Sequence, residues 1–465
     1  MPRLSVRACA VLLACAFSAA CASSGNPRPA LSQDGDAPRE DVGHKSYVLP
    51  LVEIVAMDAA VNRIGSMLLE PETFAVSPQT IRRNLRGPWV VDDDPFQVNQ
   101  IGHPYQGAMY HNIARSNGLS YWPSVLYTFA GSAMWEIAGE TTPPSFNDQI
   151  ASGVAASFFG ESLFRVSRLL LDRADGRPGV WRTIGAVLVS PPAGLNQALV
   201  GTPAALPSSD AVPFSDIRLQ FGATAIAEDR LRNWPSLESP QPHVTLSIDY
   251  GYPGSPDYRH VRPFDYFRLE GNFSSEGIEQ VSTRGMIAGG DYGSGRLAGI
   301  WGLYGTYDYF TPDDFRLSTT AFSFGTTLQT SMSDSFVLQS TALVGGGYAA
   351  ARALAEGSED YHYGVTPQAL GNLRLIAGRR AALDMTARQY YISGLGGFGT
   401  GQTDLIFVGD ASLAVRVAGR HALSLTYQLA GRSTDYLEVP DLSQSRRRVG
   451  VFYTFLGSGG FGAVP

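Results

Sequence analysis

The chain has 465 residues, a net charge of −7 and only 17% charged residues, against roughly 25% in ordinary soluble domains. No basic excess is present to neutralise phosphates, so nucleic acid is excluded as an expected partner. The length leaves room for more than one core, and 51 glycines with 21 tyrosines suit a barrel that sits in a membrane.

Arg3 and Arg7 precede an uncharged apolar run from Ala8 to Ala20 and then small residues, the three-part pattern of a secretory signal. The run is shorter than the roughly 20 residues a spanning helix needs. All three cysteines, Cys9, Cys15 and Cys21, lie in or beside this segment, so no internal disulfide is expected after export. Ser18-Ala19-Ala20-Cys21 resembles the lipobox of bacterial lipoproteins, which implies lipidation at Cys21; ordinary cleavage after Ala22 is the alternative. Residues 1–21 are thus expected to be a signal peptide, and residues 22–46, rich in Pro, Ser, Asp and Gly, a flexible tether.

From 47 to 205 the apolar period is helical. Helices are expected at Leu49–Ile64, Pro104–Ser116, Trp122–Glu140, Phe146–Leu171 and Val180–Leu199. Ser120 stands where an N-cap belongs, and Ser145 with Asp148 reads as a capping box. None of the apolar stretches reaches spanning length. Ser152, Ala156 and Gly160 form a small-residue stripe at spacing four that admits a neighbouring helix closely.

The segments Asp94-Pro-Phe-Gln-Val-Asn-Gln-Ile-Gly-His103-Pro-Tyr-Gln-Gly, Ala114-Arg-Ser-Asn-Gly, Trp135-Glu-Ile-Ala-Gly-Glu140 and Pro144-Ser-Phe-Asn-Asp148 resemble an uncharacterised bacterial envelope family, domain of unknown function 3943, over roughly residues 75 to 175. That likeness implies an envelope location and no established activity. The same region is more weakly similar to VanZ-like helical proteins, with His103 early, Glu136 and Glu140 one turn apart and Asp148 opening the next helix; where Glu140 lies those proteins often carry Gln.

Glu136 and Glu140, one turn apart, would share a site in which like charge raises one carboxyl pKa, and with His103 and Asp148 they are the candidates for acid–base work. The competing reading ties them to Arg115, Arg165 or backbone ends, leaves Asp148 as a helix cap, and makes Glu161 with Arg165 an ordinary pair at spacing four. No His-Glu-x-x-His run, cysteine pair or clustered histidines offers a metal site, so none is expected, nor any cofactor. Asp92-Asp93-Asp94 reads as a solvated turn rather than a calcium loop.

Residues 243–456 carry segment after segment in which apolar and polar side chains alternate one for one, within a barrel expected over 212–456. In His421–Leu429, Leu423, Leu425, Tyr427 and Leu429 point one way and Ser424, Thr426 and Gln428 the other, as successive strand residues do. About twelve such strands follow, an even number, with short turns at Ala377-Gly-Arg-Arg-Ala381 and Ala418-Gly-Arg-His-Ala422 and longer loops around 355–362, 395–402 and 432–445. The expected fold is therefore α+β: an N-terminal helical domain, then an antiparallel transmembrane β-barrel. A soluble sandwich or lipocalin-like barrel is the alternative. Outer-membrane lipids and the barrel-assembly machinery are the expected partners, the outer membrane of a Gram-negative bacterium the expected place, and the periplasm the expected side of the helical domain. Arg218, Asp249, Arg268, Glu270, Arg374, Asp384, Arg388 and Arg416 are expected to face the lumen, where they plug it or line a pore. Tyr304, Tyr307, Tyr309, Tyr390 and Tyr391 are expected at the interface girdles. Residues 457–465 form a tail. Envelope structure, or passage or binding of a small or lipidic ligand, is the function expected first; a membrane-associated hydrolase or transferase working through the helical carboxylates is the second.

Overall fold

The computed structural model describes residues 45–68, 71–92, 94–171, 179–200, 213–226, 240–256, 258–311, 316–352, 361–397, 403–435 and 442–464. The signal segment, Cys21 and nearly all of the tether lie outside these residues, as do parts of the three longer loops. The described residues fall into two compact units, 45–200 and 213–464.

The first unit is helical: α1 (Leu49–Leu68), α2 (Pro78–Asn84), α3 (His103–Ser116), α4 (Tyr121–Ala138), α5 (Phe146–Ile150), α6 (Ala156–Leu171), α7 (Val180–Val189) and α8 (Pro191–Val200). The short α2 escapes a periodicity reading because it is seven residues long; its signature is the capping box of Ser77 and Thr80, each taking the other's backbone N–H. Two expected helices are interrupted. Phe146–Leu171 contains a π-helical turn, Ala151–Ala155, and Val180–Leu199 breaks at Ser190, where Pro191 and Pro192 withhold N–H donors. A second π-helical turn, Val98–Gly102, leads directly into α3. The small-residue stripe packs on α3: a Cβ on Gly107 would stand 2.1 Å from the Ser152 carbonyl oxygen, and one on Gly160 3.0 Å from Ala108 Cα. At Gly107 this approach excludes any larger side chain, and at Gly160 a Cβ would need its neighbour to shift.

The second unit is a closed antiparallel barrel of twelve strands: β1 (Ser215–Ile226), β2 (Gln241–Tyr250), β3 (Phe267–Ser274), β4 (Gly277–Ser294), β5 (Leu297–Phe310), β6 (Leu317–Ser331), β7 (Phe336–Arg352), β8 (Tyr361–Ala377), β9 (Ala381–Gly397), β10 (Thr403–Ala418), β11 (His421–Asp435) and β12 (Leu442–Leu456). Each strand pairs with its sequence neighbours, and β1 closes on β12 from Arg218 opposite Leu456 to Ile226 opposite Arg448. The two matching short turns are set by Gly378 (φ 52°) and Gly419 (φ 51°), conformations that a Cβ disfavours.

Polarity is inverted relative to a soluble core. Leu425 is 54% exposed on the outside while the adjacent Ser424 is 2% exposed on the inside. Trp301, Phe324, Val344, Leu373, Phe407, Leu413 and Val451 continue the exposed apolar surface from β5 to β12. Four of the five tyrosines depart from the girdle expected of them. Tyr304 and Tyr390 face inward and donate to Thr327 Oγ1 at 3.2 Å and Asp308 Oδ2 at 3.0 Å. Tyr307 and Tyr309 are also buried, and Tyr391 is exposed.

After β12 the chain folds back across the bore. Gly457 N–H donates to the Ile217 carbonyl at 2.7 Å. Phe461 packs among Ile376, Ala382, Ala414, Ala422 and Leu456. Val464 joins Tyr252, Tyr266, Tyr304 and Leu343, and Gln329 clasps it by accepting its N–H at 2.9 Å and donating to its carbonyl at 3.0 Å. Because these partners come from inward faces of β1 and β5–β11, residues 457–464, together with the inward-folded 251–266 connection, close the barrel end that carries the short turns. Phe461→Ala should therefore destabilise the barrel by about 3–5 kcal/mol, read as a lower temperature at which the folded band survives in a detergent gel.

Candidate functional site

The helical unit gathers its chemistry where three chain segments cross. The 90–92 segment runs beside 144–147: Val90 N–H donates to the Pro144 carbonyl and Phe146 N–H to the Val90 carbonyl, both at 2.9 Å, and Asp92 N–H to Asn147 Oδ1 at 2.8 Å. Asn84 Nδ2 donates to the Thr142 carbonyl at 2.8 Å and pins the connection from α4 to α5. This clamp holds the first turn of α5 against the last turn of α4.

Within it His103, Glu136 and Asp148 are all buried, with ligand-capable atoms within 4.8 Å of one another. Glu136 Oε2 accepts the Ser145 N–H at 2.9 Å, and Ser145 Oγ accepts the Asp148 N–H at 3.1 Å. The expected capping box is thus half made: Ser145 caps α5, but Glu136 rather than Asp148 takes its backbone proton. Ser120 likewise occupies an N-cap position without a side-chain cap bond. Ser152, in the π-helical turn, bonds the His103 carbonyl at 3.1 Å and lies 3.3 Å from His103 Nδ1. π-helical turns recur at functional sites because the widened turn re-aims side chains; here one adjoins His103 and the other begins three residues after Asp148.

Glu140 lies beyond the helix, which ends at Ala138, yet it remains a charged neighbour of Glu136. Burial, then the negative charges of Asp148 and Glu140, push the Glu136 carboxyl up to about 9. Burial also raises Glu140, to about 7, and Asp148, with His103 opposing in both. Asp92 is half-buried, and its Oδ1 accepts the Asp94 N–H and Asn99 Nδ2.

Arg115 and Arg165 serve a different carboxylate. Glu161 is completely buried, with Arg115 Nε at 2.8 Å, Arg165 Nε at 2.9 Å and His111 Nε2 at 3.1 Å. Burial alone would raise its pKa, but Arg115, His111 and Arg165 bring it down to about 2. The Glu161–Arg165 pair therefore belongs to a buried four-residue core rather than a surface helix pair, and it is separate from the carboxylates of His103.

Seven of the eight expected lumen charges form one chain. Asp410 pairs with Arg388 at 2.7 Å, Arg388 with Glu270 at 2.9 Å, Glu270 with Arg268 at 2.6 Å, Arg268 with Asp249 at 3.3 Å, Asp249 with Arg374 at 3.1 Å, Arg374 with Asp384 at 2.5 Å and Asp384 with Arg218 at 2.9 Å. Arg416 stands apart, donating to Gly419 and Gly459 carbonyls and stacking over Phe461. Two inward clusters carried no sequence signal beyond strand parity: His243 and Arg448 on Glu279, and His362 and Arg432 on Asp404. Beside the charge chain lies a lumen cavity of about 160 Å³, lined by Arg218, Arg268, Glu270, Arg388, Asp410 and Arg448 among others.

Residues 88–192 match the family described as "Domain of unknown function (DUF3943)", a span that holds His103, Glu136, Glu140, Asp148 and Glu161. No curated protein matches the chain. Among solved structures, the NanC porin aligns with TM-score 0.27 and 10% identity over 50% of this chain and 98% of its own. OmpT, an outer membrane protein of Vibrio cholerae, aligns with TM-score 0.20 and 9% identity over 52% and 97%. The toluene transporter TodX of Pseudomonas putida aligns with TM-score 0.22 and 12% identity over 56% and 93%. At such scores these likenesses carry no weight, and the barrel rests on its own strand pairing.

Two outcomes follow for the helical unit. Glu161→Gln removes the negative charge that two buried guanidinium groups pair with and should cost about 3–5 kcal/mol, read by thermal melting at the helical dichroism band. Asp58, bonded by the Tyr110 hydroxyl, is raised by burial to about 7. Its folded pKa lies above the unfolded value, so its contribution is full below about pH 4 and is lost as pH rises toward 7. Asp58→Asn should flatten the fall in helical melting temperature between pH 4 and 7, and an unchanged slope would reject that assignment.

Proposed function

We propose that this chain is an outer-membrane protein whose barrel is embedded in lipid and closed to free diffusion, holding a small polar or charged ligand in its lumen. One observation carries the reading: along much of β5–β12 side chains alternate between an exposed apolar exterior and a polar interior that holds paired charges. An exposed surface of Leu, Phe, Val and Trp on strand after strand suits acyl chains and not water. Strands of 14 to 17 residues in β5–β12 exceed the roughly 9–11 that a tilted strand needs to span. The export signal expected from residues 1–21 is in keeping with this placement. Twelve strands return the chain to the side from which it entered, and short turns mark the periplasmic side of such barrels, so the helical unit belongs in the periplasm in this reading. Closure by residues 457–464 argues for binding over open passage.

Two measurements test the proposal. Leu425→Arg should lower membrane assembly, since an arginine on the lipid face costs about 2–4 kcal/mol at the midplane, whereas Thr426→Arg, on the lumen side, should assemble normally. Equal assembly of both would reject the embedded register. In planar bilayers the full chain should give no steady conductance, and a stable open channel would reject the closed lumen.

A second reading is favoured by the convergence of His103, Glu136 and Asp148: a membrane-associated hydrolase or transferase acting on envelope lipid or glycan, the chemistry that the weaker VanZ-like similarity also leaves open. Under it, Glu136→Gln would accumulate to wild-type levels yet fail to complement a deletion strain under detergent stress. Complementation that tracks protein abundance would reject it.

A further inference from the structure

We propose that His103, Glu136 and Asp148 form a binding site for one divalent transition-metal ion, with zinc the preferred occupant. The three residues come from the start of α3, the end of α4 and the start of α5, and each is at least 94% buried. Their ligand-capable atoms lie within 4.8 Å of one another. A second observation points the same way: Glu136 spends Oε2 on the Ser145 N–H, while Oε1 is buried with no hydrogen-bond partner. A buried carboxylate oxygen left without a donor costs free energy, and a cation beside it removes that cost.

The charge balance also fits. Two buried carboxylates with no arginine or lysine among their hydrogen-bond partners are mutually repulsive, in contrast to Glu161 with its two guanidinium groups. One divalent ion neutralises the pair. An imidazole nitrogen with two carboxylates is a mixed donor set that suits zinc or its first-row neighbours and disfavours magnesium and calcium, which prefer all-oxygen shells. Three protein ligands are the number that catalytic zinc sites use, leaving one position for a water or substrate. Second-sphere support is in place, with Ser152 Oγ by His103 Nδ1 and Asn147 Nδ2 donating to Asp148 Oδ1 at 3.1 Å.

This site deepens the hydrolase reading and rests on the same convergence, but it is testable without any activity. The full chain, purified in detergent and stripped with a chelator, is given zinc or cobalt, and bound metal is counted after gel filtration. Histidine–carboxylate pairs in the barrel set a background, so the decisive number is a difference: Glu136→Gln, and independently Asp148→Asn, should bind one equivalent less than wild type and lose the corresponding cobalt absorption bands, while Asp410→Asn in the lumen keeps the wild-type count. Metal-free Glu136→Gln should melt close to the wild-type temperature, because the amide keeps the size of the carboxyl and an oxygen to accept the Ser145 N–H, so the lost ion cannot be ascribed to unfolding. Equal metal counts in wild type, Glu136→Gln and Asp148→Asn, or a wild type that binds no zinc when magnesium is present in about 100-fold excess, overturn the site. That failure is distinct from failure of the hydrolase reading, which the complementation assay decides.

Discussion

Pairing β1 with β12 leaves the sheet without an edge, and most of the barrel's chemistry is a consequence of that closure. With every strand bonded on both sides, no row of free N–H and C=O groups remains to recruit another strand. Each strand then has one face outside and one inside, and the period of two assigns alternate side chains to them. Apolar residues outside and polar residues inside follow from the same arithmetic. So does the ion-pair chain from Asp410 to Arg218, because guanidinium and carboxylate groups confined to a bore are tolerated only when paired. The segment after β12 fits the same logic: Gln329 and Gln339 supply the hydrogen bonds its backbone needs there, at Val464 and Gly462.

The helical unit solves a different problem, since it buries charge inside an apolar pack. Glu161 and Glu136 are the same side chain at nearly the same depth, and they behave oppositely. Two arginines and a histidine around Glu161 hold its pKa at about 2, while burial with two neighbouring carboxylates drives Glu136 to about 9. Neighbouring charge decides between them, not depth. A fully compensated carboxylate reads as a structural anchor, and an uncompensated one marks a place where the fold gives up stability.

Close helix contact is what assembles that uncompensated site. Gly107 and Gly160 let α3 lie backbone to backbone on the helical path through Asp148 and Ser152, and the π-helical turns absorb the extra residue at each end. His103 is thereby carried to within bonding distance of Ser152 and into the company of Glu136 and Asp148.

The sequence by itself determined what depends on neighbours along the chain. Strand alternation, strand number, the two Gly-Arg turns and the small-residue stripe were legible because periodicity and turn chemistry are local. Strand parity was enough to point Arg218, Asp249, Arg268, Glu270, Arg374, Asp384 and Arg388 inward, though their pairing order waits on which strands face each other across the bore. The carboxylates Glu136 and Asp148 and the histidine His103 were visible as candidates, yet no spacing rule joins positions 103, 136 and 148. Only tertiary packing brings them within 4.8 Å and gives Arg115 and Arg165 to Glu161 instead. Interruptions such as the turn at Ala151–Ala155 were hidden for the same reason: a π-helical turn preserves composition and is set by what the helix must pack against. The fate of residues 457–464 was also hidden, because a short segment of Gly, Ser, Phe and Val has no pattern of its own until the barrel's inner wall supplies its partners.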